Sequence, residues 1–298
     1  MISFQSCYTK CQRISGDTTA NTLTQFKEDL NIGYQRFNSA IARYFTRKQA
    51  LINLVASQQA YNQPVDLIKV SSVSVVVATG LEIPLIQVRG EDEWRTLNID
   101  TSSSRDVSHY FVLGNDQIGL WPTPSAAVTN GLRLIYQPQD AFLTKDDYST
   151  GTVSITTATT TVTGVGSSWT SASHDGMYLQ VTDGSDGHWY EVGSVVSGTS
   201  ITLSINYSGP TVSGVTYKLG QMFIFPGEYD DVPVDYALTR HYEMKNNPGR
   251  ARYHQKKYDD AVNQAVQAYT SSSTSNIITD GDNLISESNP WLWPPQTG

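Results

Sequence analysis

Thr161-Val-Thr-Gly-Val-Gly166-Ser-Ser-Trp169 and Ser200-Ile-Thr-Leu-Ser-Ile205 alternate apolar and polar side chains. Both lie in a stretch, residues 146–217, where 72 successive positions hold no Lys or Arg. Residues 151–217 carry 25 Ser or Thr in 67 positions, and the acids of the stretch are Asp146, Asp147, Asp175, Asp183, Asp186 and Glu191. Further alternating runs are Thr152-Val-Ser-Ile155, Tyr178-Leu-Gln-Val181, Trp189-Tyr-Glu-Val192 and Val215-Thr-Tyr217, separated by turns of Gly, Ser and Asp. Alternation with period two buries one face of a strand. Six or so short strands at this spacing predict a small all-β sandwich or barrel. On both sides the composition returns to mixed charge. The reading is a β module inserted at 150–218 into a discontinuous domain formed by 1–149 and 219–270, with an extended tail at 271–298. Loop insertions are tolerated because closure entropy grows slowly with length.

Working outward, Leu23, Phe26, Leu30, Tyr34, Phe37 and Ile41 recur at spacings of three and four and predict a helix over 18–45, capped by Thr22 or Thr24. Gly33 weakens its middle. Strands are expected at 50–55, 65–78, 81–88, 110–112, 118–121 and 132–136, with Gly114-Asn115-Asp116 as hairpin chemistry. Phe223-Ile-Phe225 reads as one more strand. A helix capped by Asp230 or Asp231, with Pro233 in its first turn, runs to about Lys245, and a second spans about 249–269 after Asn246-Asn-Pro-Gly249. The fold class is therefore α+β: helices packed with an antiparallel sheet core, plus the inserted all-β module.

The 298 residues carry a net charge of −8, which argues against gripping nucleic acid over a broad face. No run of 18 apolar residues exists to span a membrane, and the first residues show no signal-peptide pattern. Cys7 and Cys11 could supply two ligands, half of a tetrahedral zinc site; they are expected to be reduced thiols. No cofactor motif is present. His174-Asp175 and Asp186-Gly-His188 could hold an ion but suit turns better. The pairs Asp146-Asp147 and Asp230-Asp231 read as caps and solvated loops, not as an acid–base couple. Arg250, Arg252, Lys256 and Lys257 could touch phosphates, yet Asp259 and Asp260 lie one turn away. No enzyme is expected. The tail is polar, expected to be extended or disordered alone, and ends in Trp291-Leu292-Trp293-Pro294-Pro295, which reads as a partner-docking anchor.

The order of segments outside the module carries a resemblance. Gln59-Ala-Tyr61-Asn-Gln-Pro64-Val-Asp66-Leu-Ile-Lys-Val-Ser-Ser-Val73 follows an amphipathic helix. Later come Tyr110-Phe-Val-Leu-Gly114-Asn-Asp-Gln-Ile118-Gly-Leu120-Trp-Pro122-Thr-Pro124, Leu132-Arg-Leu-Ile-Tyr136 and Phe225-Pro226-Gly-Glu-Tyr229-Asp-Asp. Over 18–147 and 222–269 this resembles the bacteriophage head–tail adaptor, or connector, proteins; the module stands where their pattern has a short loop. The resemblance implies a structural virion protein made in the host cytoplasm. It implies a ring of copies, expected to be a dodecamer, bound between the portal protein and the tail nozzle or tail-tube proteins, with DNA passing through without specific binding. Two other classes remain open: a tail-associated receptor- or glycan-binding protein using Trp169, Trp189, Tyr190 and Tyr207, and a cell-wall hydrolase.

Overall fold

The computed structural model describes residues 2–76, 80–99, 106–114 and 116–270. It is an α+β protein. The chain starts with helices α1 (Phe4–Ser15) and α2 (Ala20–Ala40). Next come strands β1 (Lys48–Leu54), β2 (Ala60–Asn62), β3 (Leu67–Val76), β4 (Glu82–Pro84) and β5 (Ile86–Gln87) and helix α3 (Glu91–Ile99). Strands β6 (His109–Leu113), β7 (Gln117–Trp121) and β8 (Val128–Pro138) follow. The Ser/Thr-rich stretch holds β9 (Thr152–Ile155), β10 (Thr161–Val165), a short helix α4 (Ser171–His174), β11 (Tyr178–Val181), β12 (Trp189–Ser197), β13 (Ser200–Leu203), β14 (Val212–Val215) and β15 (Tyr217–Gly220). Helices α5 (Val232–Met244) and α6 (Pro248–Thr270) close the described chain.

Two compact units result: residues 1–42 with 142–298, and residues 43–141. These boundaries fall at places other than the composition shifts do, because the helices before Ala42 pack with those after Val232.

In the 43–141 unit, two four-stranded sheets run β1-β8-β3-β4 and β2-β7-β6-β5. Leu54, Val73, Val75, Leu132, Leu134 and Tyr136 of the first sheet share one core with Tyr61, Tyr110, Ile118 and Leu120 of the second. The alternation read from the sequence is the alternation of this sandwich. Helix α3, absent from the sequence reading, starts with Glu91, Asp92 and Glu93, where acids favour a helix N-terminus. It seats Trp94 flat on Phe111, ring centroids 5.5 Å apart, over Gly119. A Cβ on Gly119 would stand 2.8 Å from the indole, so glycine is required there. At the ends of the unit, Arg43 pairs with the buried Asp140 at 3.5 Å.

In the other unit, the Ser/Thr-rich strands form one seven-stranded sheet in the order β14-β9-β10-β13-β12-β11-β15. Strands β14 and β15 lie at opposite ends of that order, yet only Thr216 separates them in the chain. Thr216 accepts a hydrogen bond from Thr182 N at 3.0 Å. The sheet therefore curls until its edges meet, around Val153, Ile155, Val162, Trp169, Leu179 and Ile201. The chain enters and leaves this sheet at one place: Tyr148 and Leu219 exchange backbone hydrogen bonds of 2.7 and 2.8 Å.

Helix α1 was not expected. Ser3 Oγ accepts from Ser6 N, Gly16 ends the helix at φ 74°, and Phe4, Cys7, Tyr8 and Cys11 are buried at helical spacing. Helix α2 starts later than expected: Thr19 stands at the N-cap, with neither Thr22 nor Thr24 in that role, and Asp17 accepts from Thr19 N and from the Thr19 and Thr22 hydroxyls. Phe223-Ile-Phe225 is not a strand. It is an extended link whose two rings face inward; Phe223 packs on Phe4 and Tyr34, Phe225 on Tyr34 and Phe37, and Phe37 on Tyr229. This aromatic ladder ties α1, α2 and the approach to α5 together. Gly33 marks a contact instead of a weakness: a Cβ there would meet Tyr236 Cβ at 2.9 Å. Ala at that position gains about 1 kcal/mol of helix propensity but crowds α5, costing about 1–3 kcal/mol. Gly33→Ala is expected to lower the midpoint of thermal unfolding, read by circular dichroism.

Candidate docking surfaces

The adaptor-like residues of the 43–141 unit fix a corner between its sheets. The Tyr61 hydroxyl donates to Val55 O or Gln58 O and accepts from Val55 N, all at 3.1 Å. Gln63 Nε2 donates to Gln117 O at 2.6 Å, and Pro64 O accepts from Leu67 N. Asp66 accepts from Tyr136 Oη at 2.9 Å and Lys48 Nζ at 2.8 Å; despite partial burial, those partners hold its carboxyl below the usual range. The side chains of the Gln-x-Tyr-x-x-Pro-x-Asp pattern thus serve to hold the turn through their hydrogen bonds.

In the helical unit, a concavity of about 800 Å³ is lined by Lys10, Arg13, Asp147, Lys218, Glu228 and Asp231. Lys10 pairs with Asp231. Asp147 accepts from Ser3 Oγ at 2.7 Å, its backbone N–H donates to Gln5 Oε1, and burial pushes its carboxyl up. Asp146 instead binds Tyr8 Oη and Lys27 Nζ at 2.8 and 2.7 Å. The two adjacent carboxylates point to different partners and do not act as a pair. The lining suits a polar partner surface of either charge.

Between α2 and α5, Asp29 is buried with Oδ2 lacking a hydrogen-bond partner. Burial pushes its carboxyl up to about 6, against the pull of Arg240. A group whose folded value exceeds its unfolded one costs stability above that folded value and stops costing it below the unfolded one. Asp29→Asn is thus expected to stabilise the fold by about 1–3 kcal/mol at pH 8, with the gain vanishing near pH 4. His241, packed on Phe26 at 5.0 Å, acts oppositely: burial lowers its affinity for a proton, so acid weakens the fold as pH falls through 6.5. Melting curves of both forms between pH 4 and 8 separate the two contributions.

The remaining candidates are structural. Cys7 and Cys11 are fully buried core side chains whose thiols burial pushes up. His174 is buried against Thr170, and Asp175 accepts from Val195 N. Asp186 accepts from Tyr190 Oη, Ser208 Oγ and His188 N. No three His, Cys, Asp or Glu side chains among the described residues are grouped to hold a metal ion. Arg250 donates to Tyr242 Oη, and Lys257 lies over the Tyr253 ring. Trp169, Tyr190 and Tyr207 are 2, 3 and 1% exposed, so three of the four aromatics that could have stacked on a sugar are core. Trp291, Leu292, Trp293 and Pro294 lie outside the described residues. No helix among those residues is long and apolar enough to cross a membrane.

The family model described as SU10 adaptor protein matches residues 3–158. The chain belongs to the SU10 adaptor family. The match takes in α1, α2 and the whole 43–141 unit and ends just after β9. It therefore includes α1, which the resemblance at 18–147 left out, and the corner built by Tyr61, Gln63, Pro64 and Asp66. A search among curated proteins finds no match. As a member of this family the adaptor is a structural protein of a phage virion.

Proposed function

We propose that this adaptor forms a ring, a dodecamer, between the portal protein and the tail nozzle or tail-tube proteins, and that the ring lines the DNA passage. The family match carries the reading. A net charge of −8 supports a bore that DNA crosses without specific binding. The same charge opposes self-association of the free chain, so assembly is expected to need the portal. Sedimentation of the lone protein should give monomers, and stable lone dodecamers would contradict the portal dependence. The C-terminal Trp291-Leu292-Trp293-Pro294 run is the docking anchor in this reading, seated on the portal or on a neighbouring copy.

The curled sheet is an add-on that the ring does not need. Its ends meet at Tyr148 and Leu219, so a short Gly/Ser link can replace 150–218. Deleting those residues is expected to leave a soluble protein with a cooperative melt; aggregation of the deletion variant would show that the helices depend on the module.

A further inference from the structure

The corner between α5 and α6 is basic in an acidic chain. Residues 240–257 hold six Lys or Arg and one acid, Glu243, a net charge of +5 where the whole chain carries −8. All six bases, Arg240, Lys245, Arg250, Arg252, Lys256 and Lys257, are exposed, and Tyr253 among them shows 58% of its surface. The fold takes up part of this charge: Arg240 pairs with Glu243 and Lys245 with Asp17. Contacts with the Tyr242 hydroxyl and the Tyr253 ring orient Arg250 and Lys257 and leave their charge in place. Arg252 and Lys256 form no ion pair among the described residues. The charge order along α6 also runs against the helix. Its first turn has no acid, its bases lie in the first half, and Asp259 and Asp260 follow them. The reverse order stabilises a helix, so this arrangement serves something other than the stability of α6. Asp259 accepts from Gln255 at 2.8 Å and ends the basic patch one turn beyond Lys256.

A hollow of about 310 Å³ in the corner is lined by Arg252, Asn246, Asn247 and Gln255, with Glu243, which Arg240 holds. Guanidinium, ammonium and amide groups are the donors that hold phosphate oxygens. A protein partner is matched less well, because the cores of protein interfaces are apolar and poor in Lys. Nucleic-acid interfaces are polar and strongly basic. We infer that the α5–α6 corner contacts the phosphate backbone of duplex DNA through Arg250, Arg252, Tyr253, Lys256 and Lys257. Arg252 and Lys256 lie one turn apart, and Arg250, Tyr253 and Lys257 form the neighbouring row. Together they span roughly 10 Å of helix, enough for about three phosphates of one strand. The inference rests on the reading that DNA crosses this adaptor, and it names the surface that the duplex meets. Contacts confined to phosphates carry no sequence preference and leave the duplex free to slide.

The test uses the full chain, without portal, and a fluorescent DNA duplex whose binding is read by anisotropy over a range of salt. The wild-type chain should bind at about 50 mM salt and release the duplex as salt rises. Arg252→Gln with Lys256→Gln should weaken binding at least tenfold. It should also flatten the plot of log affinity against log salt by about 2, since each phosphate contact contributes about 0.9. Lys69→Gln with Arg89→Gln removes equal charge from exposed positions of the 43–141 unit and should change the affinity less than about twofold. No binding by the wild-type chain at low salt, or equal losses in the two variants, overturns the inference. So does a corner variant that keeps its DNA affinity and loses attachment to portal, since the corner would then dock a protein. Because the chain is tested alone, failure here leaves the ring standing, and a missing ring leaves this binding in place.

Discussion

Phe37→Ala is expected to destabilise the helical unit by about 3–5 kcal/mol, the largest stability effect of any single change considered. Phe37 is fully buried on α2, with Phe225 and Tyr229 rings each 5.4 Å away. Removing it opens a cavity where α2 meets both the extended 223–225 link and the turn before α5. Phe225 is itself held by Tyr34 and Phe223, and Tyr229 by Tyr269, so neither ring can collapse into the gap. Chemical denaturation should show a lower midpoint with an unchanged slope. A loss under 1 kcal/mol would mean that the aromatic ladder does not hold these elements together.

Trp291→Ala with Trp293→Ala is expected to leave the melting curve unchanged and to weaken attachment to portal about a thousandfold. Large aromatics seated in partner pockets often contribute about 2 kcal/mol or more each, and two of them give about 4 kcal/mol, or three powers of ten. Proline at 294 and 295 stiffens the run and lowers the entropy lost on docking. Binding of the double variant to immobilised portal at wild-type strength would remove the anchor from the account.

Much of the fold could be read from the chain because most of its strands bury one face. Val153 and Ile155, Leu179 and Val181, and Ile201 and Leu203 are inward pairs two residues apart; five of the six expected runs coincide with observed strands, while Val215-Thr-Tyr217 straddles the break at Thr216 between β14 and β15. The same rule misled at Phe223-Ile-Phe225, where alternation reflects two rings turned inward on a link with no strand beside it. Helix α1 escaped notice because its apolar stripe contains two cysteines, first weighed as ligands. Ser3, Gly16 and the 4-7-8-11 spacing were the signals that would have found it. Curling of the sheet through Thr216 and the unit boundaries at Ala42 and Phe142 depend on contacts between remote segments, which no local pattern encodes. The Gln-x-Tyr-x-x-Pro-x-Asp run was legible as a family mark, but its role as a turn-builder emerged only from its partners, Val55, Gln117 and Tyr136. The described site residues are structural, and the proposed anchor lies beyond them in the sequence.

The central claim is that this adaptor assembles as a ring on the portal. Electron microscopy of the protein mixed with its isolated portal tests it directly. The account predicts a twelvefold ring of adaptor added beneath the portal, with the unmixed adaptor remaining as single copies. Portal particles that stay bare at saturating adaptor would contradict it.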